Sequence, residues 1–417
     1  MSSAYDAVVI GGGPGGAATA SYLARAGRRV LVLEKEHFPR FKIGESLLPY
    51  SRAILEELGV WPKLQGRGFP VKRGAQFHLG DGSKSLKFVF ADGRFTRHTE
   101  ILQVERALFD EVLLNHAAEL GAEVRHGWTV NRVENHGECH LVLASSDRGG
   151  SVELQARFVI DTSGRANLTG NQEGVREFHP RHRKLAVFGH FLGVHRDPEP
   201  KSGDIMIVRL ANQWFWLIPI SPEKTSVGCV LEKDEFVAAK ESPEVLFNRL
   251  VQSSAALRER MAGAQLVGAM QTTTDFSYFN RRLVGPKLLH VGDAAGFMDP
   301  GFSAGVHLAL WSGKLAAGVV DKSLSDPRAY DRLANDYEQR VMRGMKMYWE
   351  LVEHFYTTPF MEVFMEPRPK LGIAAAVNAI LAGDLEGGWH LRWRLRLFYW
   401  LVRLQAKRPF MPKIAFE

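Results

Sequence analysis

The sequence lacks most of the features that mark exported, membrane-spanning or metal-binding proteins. Its 417 residues contain two cysteines, Cys139 and Cys229, which form neither a disulfide framework nor a metal-binding spacing. No basic region precedes the apolar run near the N-terminus, which argues against a signal peptide. No stretch reaches the roughly 20 uninterrupted apolar residues of a membrane span. We therefore expect a cytoplasmic protein that binds no metal.

The composition is that of a folded protein with a mild preference for anions. Hydrophobic residues make up 45% of the chain and charged residues 24%, which is ordinary for a globular protein. The formal net charge of +7 would attract phosphates, halide ions or an acidic carrier protein as well as nucleic acid. The charge alone therefore gives no reason to expect a nucleic-acid partner.

The C-terminal segment 391–405 combines aromatic residues with Arg392, Arg394, Arg396 and Arg403. A basic amphipathic helix of this kind either lies on a membrane surface or docks a partner. The alternative is a terminal helix that packs its aromatic residues on the protein body and leaves its arginines in water. We favour this second interpretation.

The pattern of apolar residues predicts an α/β fold. An apolar strand, a glycine-rich turn, a helix and a second strand follow one another within residues 5–34, as in a βαβ unit. Alternating and β-rich segments dominate 140–160, 185–195, 204–220 and 225–231, and they predict one or two antiparallel strands beside the nucleotide-binding domain and a separate, larger sheet. A further strand at 287–293 leads into a helix, and the pattern is mostly helical from residue 326 on.

The glycine-rich turn has the GxGxxG spacing of a dinucleotide-binding loop, with glycines at Gly11, Gly13 and Gly16. The first glycine permits the tight turn, the second lets the backbone approach a pyrophosphate, and the third allows close packing of helix on strand. Glu34 ends the next strand, where a carboxylate can bind a ribose hydroxyl, and Lys35 follows it. The sequence therefore predicts a dinucleotide cofactor.

A distant segment selects FAD as that cofactor. The strand at 288–292 delivers Asp293 to a tight turn, and this segment resembles the second FAD motif of flavoprotein hydroxylases. The resemblance implies that Asp293 binds the ribityl chain, that Arg106 lies beside the flavin and its phosphates, and that Gly44 and Ser46 lie near the isoalloxazine. No second GxGxxG occurs, so we expect reduced FAD to come from a separate flavin reductase.

The same resemblance implies a division of the chain into interleaved units. We predict a discontinuous FAD-binding, Rossmann-type domain that comprises residues 1–75, 100–168 and 283–330. Residues 76–99 and 169–282 are predicted to form a β-sheet substrate domain. The C-terminal helical region is predicted at 331–417.

Two tryptophans narrow the family. Residues 214–219 read WFWLIP and match a signature of flavin-dependent halogenases. Trp214 and Trp216 lie two apart in a predicted strand and therefore face the same side; we call them the Trp wall. In that family such a wall keeps the substrate away from the oxygen-activated flavin. The bland alternative is a buried aromatic strand.

A second halogenase signature falls at residues 297–305, and we call its residues 299–305 the Pro300 turn. The resemblance implies that Pro300, Ser303 and Gly305 hold chloride or bromide, with Pro300 also near the flavin. A turn at a helix N-terminus presents converging N–H groups to an anion, so the physics agrees. Related hydroxylases carry a similar turn for the flavin alone.

Lys72 occupies the position of the halogenase catalytic lysine. Its context, GFPVKRGAQF, resembles the family's segment, and the resemblance implies that the lysine receives hypohalous acid and passes the halogen to the substrate. A lysine of lowered pKa, partly removed from water, suits this role. Taken singly, a lysine between Pro70 and Arg73 is usually a solvated surface group.

Together these motifs resemble the flavin-dependent halogenases of secondary metabolite biosynthesis. The resemblance implies an FADH2- and O2-dependent enzyme that makes hypohalous acid and halogenates an electron-rich phenol or pyrrole, free or on an acyl or peptidyl carrier protein. A reductase of the geranylgeranyl reductase type is the main alternative, since Gly228 follows Pro219 at a suitable distance. A flavin monooxygenase is the third, and a non-catalytic flavin carrier the last.

Overall fold

The computed structural model describes residues 5–179, 182–274, 277–366, 370–414 and 416. Its strands, in chain order, are β1 Tyr5–Ile10, β2 Val30–Glu34, β3 Val71–Lys72, β4 Gly74–Leu79, β5 Ser85–Val89, β6 Ile101–Leu102, β7 Glu123–His126, β8 Trp128–Asn135, β9 His140–Ser146, β10 Ser151–Asp161, β11 Arg176–Phe178, β12 Lys184–Leu192, β13 Ile205–Arg209, β14 Trp214–Pro219, β15 Lys224–Glu232, β16 Gln265–Thr274, β17 Tyr278–Asn280, β18 Val284–Gly285, β19 Leu288–His290 and β20 Gly296–Phe297.

The helices alternate with these strands in the first half of the chain and dominate its end. In chain order they are α1 Pro14–Arg25, α2 Ser51–Leu58, α3 Trp61–Gln65, α4 Arg106–Glu119, α5 Leu168–Gln172, α6 Lys233–Ala239, α7 Pro243–Ser253, α8 Ala255–Met261, α9 Ala304–Ser325, α10 Tyr330–Phe355, α11 Thr358–Phe364, α12 Ile373–Ala382 and α13 Trp389–Lys407.

The first sheet is a parallel nucleotide-binding sheet with an antiparallel extension. Its main order is β18-β19-β10-β1-β2-β7, and the pairs between β19, β10, β1, β2 and β7 are parallel. Strands β8 and β9 form an antiparallel hairpin that joins the N-terminal part of β10. Helices α1 and α9 cover one face of the sheet, and they approach closely because Gly313 of α9 lies against the backbone of Gly15.

The second sheet is mixed and stands beside the first. Its order is β16-β12-β15-β14-β13-β4-β5, with a parallel pair between β13 and β4 and antiparallel pairs elsewhere. All six residues of β14 are buried, since one face of the sheet packs on the main core and the other on α7. Strands β3 and β6 pair with each other as a short antiparallel sheet. In the chain they flank β4 and β5 of the second sheet.

The C-terminal helices close the main core. The inner residues of α10, α11, α12 and α13 join the same hydrophobic cluster as α1, α9 and the parallel strands. In α13 the buried positions include Leu391, Leu395, Phe398 and Val402. The expectation that the terminal helix packs its aromatic residues on the body holds for Phe398 and Tyr399 but not for Trp389 and Trp400, which are 65% and 54% exposed.

The predicted fold class is confirmed: an α/β nucleotide-binding sheet is interleaved along the chain with a separate sheet, and a helical region follows both. The domain boundaries stay a prediction. The strands of the second sheet lie within residues 74–89 and 184–274. Within the described residues, no helix is both long enough and apolar enough to cross a membrane.

Candidate active site

The candidate cofactor site lies at the carboxyl edge of the first sheet. Strands β1, β2, β10 and β19 run parallel, so the loops that follow them meet at one edge. Ligands of open α/β sheets bind at this edge. The glycine-rich loop follows β1, Glu34 ends β2, Asp161 ends β10 and Asp293 follows β19. The structure therefore brings together the predicted cofactor residues that lie far apart in sequence.

The glycine-rich loop has the geometry that its motif predicts. Gly11 has a φ of 100°, which favours glycine. A Cβ atom on Gly16 would lie 2.0 Å from the Gly11 carbonyl oxygen, whereas one on Gly13 would meet its nearest neighbour, an Arg40 nitrogen, only at 3.8 Å. The third glycine thus packs helix against strand, and the second leaves space at the N-terminus of α1 for an anionic group.

The Glu34 carboxylate is held at the end of β2 by backbone donors. One oxygen accepts the N–H of Gly12 at 2.6 Å, and the other accepts the N–H of Glu36 at 2.8 Å. The side chain is buried, whereas Lys35 beside it is exposed. The carboxylate is therefore fixed next to the glycine-rich loop.

Arg106 supports a loop instead of pointing freely into the site. Its guanidinium makes two hydrogen bonds to Asp110, at 2.7 and 2.8 Å, and donates to the Ile43 carbonyl at 2.7 Å. A Cβ atom on Gly44 would lie 2.9 Å from the Arg106 side chain. Arg106 thus fixes the segment that carries Gly44 and Ser46.

Arg40 is a second cation at the glycine-rich loop, and the sequence motifs did not identify it. It donates to Asp110 at 2.9 Å and is the nearest group to the open side of Gly13. It lies in the same segment as Gly44 and Ser46, where the resemblance singled out only those two residues. Only the fold places its charge beside the N-terminus of α1.

Asp293 lies in the turn after β19, with its side chain towards Gly305. A Cβ atom on Gly305 would be 3.8 Å from an Asp293 carboxylate oxygen. Burial raises the pKa of Asp293 to about 6, against the opposing attraction of Arg106. No described residue donates a recorded hydrogen bond to this carboxylate, so it is available to the hydroxyl groups of a ligand.

A small cavity of about 30 Å³ adjoins this turn. Its walls include Asp293, Phe297, Phe302 and Met345. The cavity lies between the start of α9 and the inner face of α10, and its walls are mostly apolar.

Lys72 is buried beside the segment that carries Gly44 and Ser46. It lies in β3 with 1% of its surface exposed, and its Nζ donates to the Ser46 Oγ and the Leu47 carbonyl, both at 2.9 Å. Burial lowers the pKa of Lys72 to about 7, against the opposing attraction of Asp204. Lys72 is therefore no solvated surface lysine, and both of its protonation states are populated near neutral pH.

The Trp wall is a pair of buried, neighbouring aromatic rings in β14. The two indole rings are 5.8 Å apart, and Trp216 donates to Ser226 at 3.1 Å. Gly228 lies opposite Trp216 in β15, where a Cβ atom would come within 2.1 Å of the indole ring. Gly228 therefore makes room for the Trp wall, which explains the spacing that also suggested a reductase.

The Pro300 turn leads directly into α9. Asp299 accepts the N–H of Gly301 at 2.8 Å, and Ser303 adopts a left-handed φ of 58° before the helix begins at Ala304. The first N–H groups of a helix have no acceptor within it. Within the turn the Ser303 N–H donates to the Pro300 carbonyl at 3.0 Å, so the open donors beside Gly305 and Asp293 are those at the start of α9.

Tyr356, at the end of α10, connects the Pro300 turn to the Trp wall. The indole N–H of Trp214 donates to the Tyr356 hydroxyl at 2.8 Å, and that hydroxyl donates to Asp299 at 2.7 Å. Tyr356 lies 142 residues from Trp214 and belongs to none of the sequence motifs, so only the fold shows its role.

Histidines show two further arrangements that the sequence pattern did not indicate. The His190 Nε2 lies 2.6 Å from a carboxylate oxygen of Glu45, next to Gly44. Elsewhere, His179, His182 and Glu353 bring their ligand atoms within 4.8 Å of one another. The expectation that the protein binds no metal stays a prediction.

Comparison with known proteins places this geometry in a family. The family model described as "FAD binding domain" matches residues 4–313. The 1H-pyrrole-2-carbonyl-[peptidyl-carrier protein] chlorinase of Pseudomonas fluorescens is 33% identical over 412 residues, covering 93% of this chain and 91% of that protein. The corresponding brominase of Pseudoalteromonas luteoviolacea is 31% identical over 373 residues, covering 88% and 89%.

A solved structure agrees with these relatives. The flavin-dependent brominase Bmp2 has a TM-score of 0.86 and 27% identity, and the match covers 97% of this chain and 100% of that chain. The protein is thus an FAD-binding enzyme whose cofactor domain is built on a parallel nucleotide-binding sheet. More specifically, the chain belongs to the flavin-dependent halogenases, as the two signatures indicated, and its reaction is FAD-dependent halogenation.

Proposed function

We propose that this enzyme halogenates an electron-rich aromatic acyl group, a pyrrole or a phenol, while that group is attached to a carrier protein. Reduced FAD is supplied by a separate flavin reductase, and chloride or bromide is the second substrate. The observation that carries the proposal is Lys72, a buried amine hydrogen-bonded to Ser46. The two relatives whose names specify pyrrole-2-carbonyl on a peptidyl carrier protein support the substrate class.

The residues at the carboxyl edge fit FAD. The open side of Gly13 and the N-terminus of α1 suit the pyrophosphate, with Arg40 as a neutralising cation. Glu34 suits the adenosine ribose, with Lys35 at the exposed side, and the unpaired carboxylate of Asp293 suits the ribityl hydroxyls. When bound, reduced FAD supplies the two electrons that activate O2.

The Pro300 turn is the proposed halide site. Pro300, Ser303 and Gly305 shape the turn that leads into α9, and the first N–H groups of that helix are the proposed donors. Such donors, together with the helix dipole, favour a small anion. The adjacent Trp wall then separates the aromatic substrate from the cofactor, so that only a small oxidant passes between them.

Lys72 receives the halogen in this proposal. With its pKa lowered to about 7, a substantial fraction of the side chain is a neutral amine, which is the nucleophilic form. Attack of its nitrogen lone pair on the halogen of hypohalous acid forms an N–halogen bond and releases water. The aromatic ring then takes the halogen, loses a proton and restores the amine. Ser46 and Leu47 keep the nitrogen in place throughout.

The test is an assay with separate readouts for flavin oxidation and halogen transfer. The enzyme is incubated with FAD, an independent flavin reductase, NADH, O2 and bromide. The acceptors are free phenols, free pyrroles and a pyrrole-2-carbonyl thioester on a peptidyl carrier protein. We expect the bromine isotope pair in the mass of the carrier-bound product.

The variant Lys72→Met preserves the volume of the side chain and removes its nitrogen. We expect it to oxidise reduced flavin at the wild-type rate but to lose halogenation by at least about a hundredfold. Undiminished halogenation by this variant would disprove the role of Lys72. Bromination of the free acceptors alone would disprove the carrier-bound substrate.

A further inference from the structure

The chain connects its two halogenase signatures through a single hydroxyl group. The Tyr356 hydroxyl accepts from Trp214 at 2.8 Å and donates to Asp299 at 2.7 Å. Asp299 in turn accepts the N–H of Gly301, also at 2.8 Å. The conformation of the Pro300 turn and the orientation of the Trp wall therefore depend on the same side chain.

The surroundings of Tyr356 leave the hydroxyl few other partners. The Nζ of Lys184 lies 3.8 Å from the centre of the Tyr356 ring, and Phe355 packs its ring against both Trp214 and Phe302. Asp299 has 9% of its surface exposed, and burial raises its pKa. Loss of the Tyr356 hydroxyl would thus leave a buried carboxylate oxygen and a buried indole N–H without a partner.

We infer that Tyr356 is a positioning residue for the halide: it holds Asp299, which fixes the Gly301 end of the Pro300 turn, and thereby sets the turn that leads into the first N–H groups of α9. The inference rests on the proposed halide site. Gly301 is the link, because its N–H is fixed by Asp299 and its Cα lies against Trp214, where a Cβ would be 3.6 Å from the indole ring.

The test compares Tyr356→Phe with Tyr348→Phe in the FAD-loaded enzyme. Tyr348 has the same size, lies two turns earlier in α10 and is buried, but its hydroxyl donates to the Ile380 carbonyl at 3.0 Å. The bromide concentration is varied in the halogenation assay, and FAD affinity and Tm are measured beside it. We expect Tyr356→Phe to raise the KM for bromide by at least about tenfold, with a smaller change in kcat and unchanged FAD affinity. Tyr348→Phe should leave the KM within about twofold.

A double-mutant cycle with Asp299→Asn separates positioning from general stability. If Tyr356 acts through Asp299, the second substitution adds little to the bromide KM of Tyr356→Phe. An unchanged bromide KM in a folded, FAD-loaded Tyr356→Phe variant would overturn the inference, as would an equal rise in Tyr348→Phe. A wild-type enzyme without saturable bromide dependence would overturn the proposed halide site itself, which is a different result.

A separate observation concerns the outer face of α13. Its exposed side chains form a line at helical spacing, consisting of Arg392, Arg396, Trp400, Arg403 and Lys407; we call this line the basic stripe. Trp400 has 54% of its surface exposed. Residues 388–416 contain no aspartate or glutamate, and within the described chain no ion pair is recorded for the four cations of the stripe.

The opposite face of α13 packs against the body of the protein. Phe398 packs against Phe360 with ring centres 5.5 Å apart, and Gln405 donates to Glu362 at 2.7 Å. A helix that lies on a membrane offers its apolar face to the lipid. Here Leu391, Leu395, Phe398 and Val402 of that face are buried, whereas Trp389 at the start of the helix is 65% exposed. The basic stripe offers four cations and one tryptophan. Arginine and tryptophan are the residues enriched in the energetic centres of protein interfaces.

We propose that the basic stripe docks the acidic surface of the carrier protein. This proposal rests on the carrier-bound substrate proposed above. Charge complementarity is its basis, because none of the described residues forms an ion pair with the cations of the stripe. Docking at a charged surface outside the catalytic site increases the association rate and holds the tethered ring near the enzyme without any contact to the reacting atoms.

The test uses two substrates that differ only in the carrier. One is pyrrole-2-carbonyl on a purified peptidyl carrier protein of negative net charge, and the other is the same acyl group on N-acetylcysteamine. We expect Arg396→Glu/Arg403→Glu to raise the KM for the carrier-bound substrate by at least about tenfold and to leave turnover of the small thioester unchanged. The matched control, Arg148→Glu/Arg258→Glu, makes the same charge change at exposed residues outside α13.

Three results would overturn the docking proposal. The first is an unchanged KM for the carrier-bound substrate in the stripe variant, and the second is an equal increase in the control. The third is binding of the wild-type enzyme to phosphatidylglycerol vesicles or to duplex DNA that the stripe variant loses, while carrier binding is the same in both. Sedimentation with the vesicles and retention on the DNA measure this binding. A wild-type enzyme that accepts the small thioester but never the carrier-bound one would instead disprove the proposed substrate.

Discussion

The glycine-rich loop of the first sheet and the Trp wall of the second both depend on a glycine that makes room for a neighbour. A Cβ atom on Gly16 would lie 2.0 Å from the Gly11 carbonyl oxygen, and one on Gly228 would lie 2.1 Å from the Trp216 ring. In the first case the neighbour is backbone, five residues away in the same motif. In the second it is a side chain on the adjacent strand.

This difference sets how each region tolerates change. The Gly11 carbonyl is fixed by a strand on one side and a helix on the other, so it cannot move without disturbing both. The Trp216 ring is one large side chain that can rotate, although its hydrogen bond to Ser226 and its contact with Trp214 oppose the movement. The cofactor region is therefore rigid through its backbone, and the Trp wall is rigid through its packing.

Gly16→Ala should have the largest effect, because the added methyl group meets backbone atoms. We expect FAD affinity to fall by at least about a hundredfold, together with a lower Tm. Titration of the apoprotein with FAD, followed by quenching of the flavin fluorescence, measures the change. The control is Gly318→Ala in α9, where no atom lies within 4 Å of the added Cβ. That variant should be neutral or up to about 1 kcal/mol more stable. Wild-type FAD affinity in Gly16→Ala would contradict the steric argument.

Gly228→Ala should have a smaller and more selective effect. The methyl group must displace the Trp216 ring, which costs about 1–3 kcal/mol of unfolding free energy for an overpacked core. FAD affinity should stay within about twofold, since Gly228 lies in the second sheet, while halogenation falls. Chemical denaturation and the halogenation assay test both parts. A variant with unchanged halogenation would show that the position of Trp216 is unimportant for the reaction.

The same contrast explains how much could be predicted from the sequence. The glycine-rich loop, Glu34 and Asp293 belong to motifs with fixed spacing, and parallel strands bring their loops to one edge. The Trp wall was predicted from the period of a strand, and the family from the combination of signatures. These features depend on short segments whose local geometry is set by a few residues.

The features that the sequence did not predict are contacts between distant segments. Arg40 reaches the glycine-rich loop from a turn, and Tyr356 reaches Asp299 from the end of α10. Arg106 was predicted to lie beside the flavin and its phosphates, which stays a prediction; its hydrogen bonds to Asp110 and Ile43, which support the loop, were not predicted. No spacing rule connects such pairs, because only the packed fold determines which side chains meet.

A change of pH should alter halogenation less than either glycine substitution does. The pH profile tests the chemical role of Lys72 directly. Burial lowers the pKa of Lys72 to about 7, so the amine is mostly protonated at pH 6 and mostly neutral at pH 8. If the neutral amine receives the halogen, kcat at saturating halide rises with pH, by about tenfold from pH 6 to pH 8, and levels off above. If the ammonium were the active form, kcat would fall over the same range.

The control for this profile is Lys72→Arg, whose guanidinium stays protonated at every pH in the range. Its residual halogenation should show no rise near pH 7, while flavin oxidation, measured in parallel, should have the same pH dependence as in the wild type. A rise near pH 7 that persists in Lys72→Arg would assign the titration to another group. That result would leave the buried amine without the chemical role that its hydrogen bonds to Ser46 and Leu47 favour.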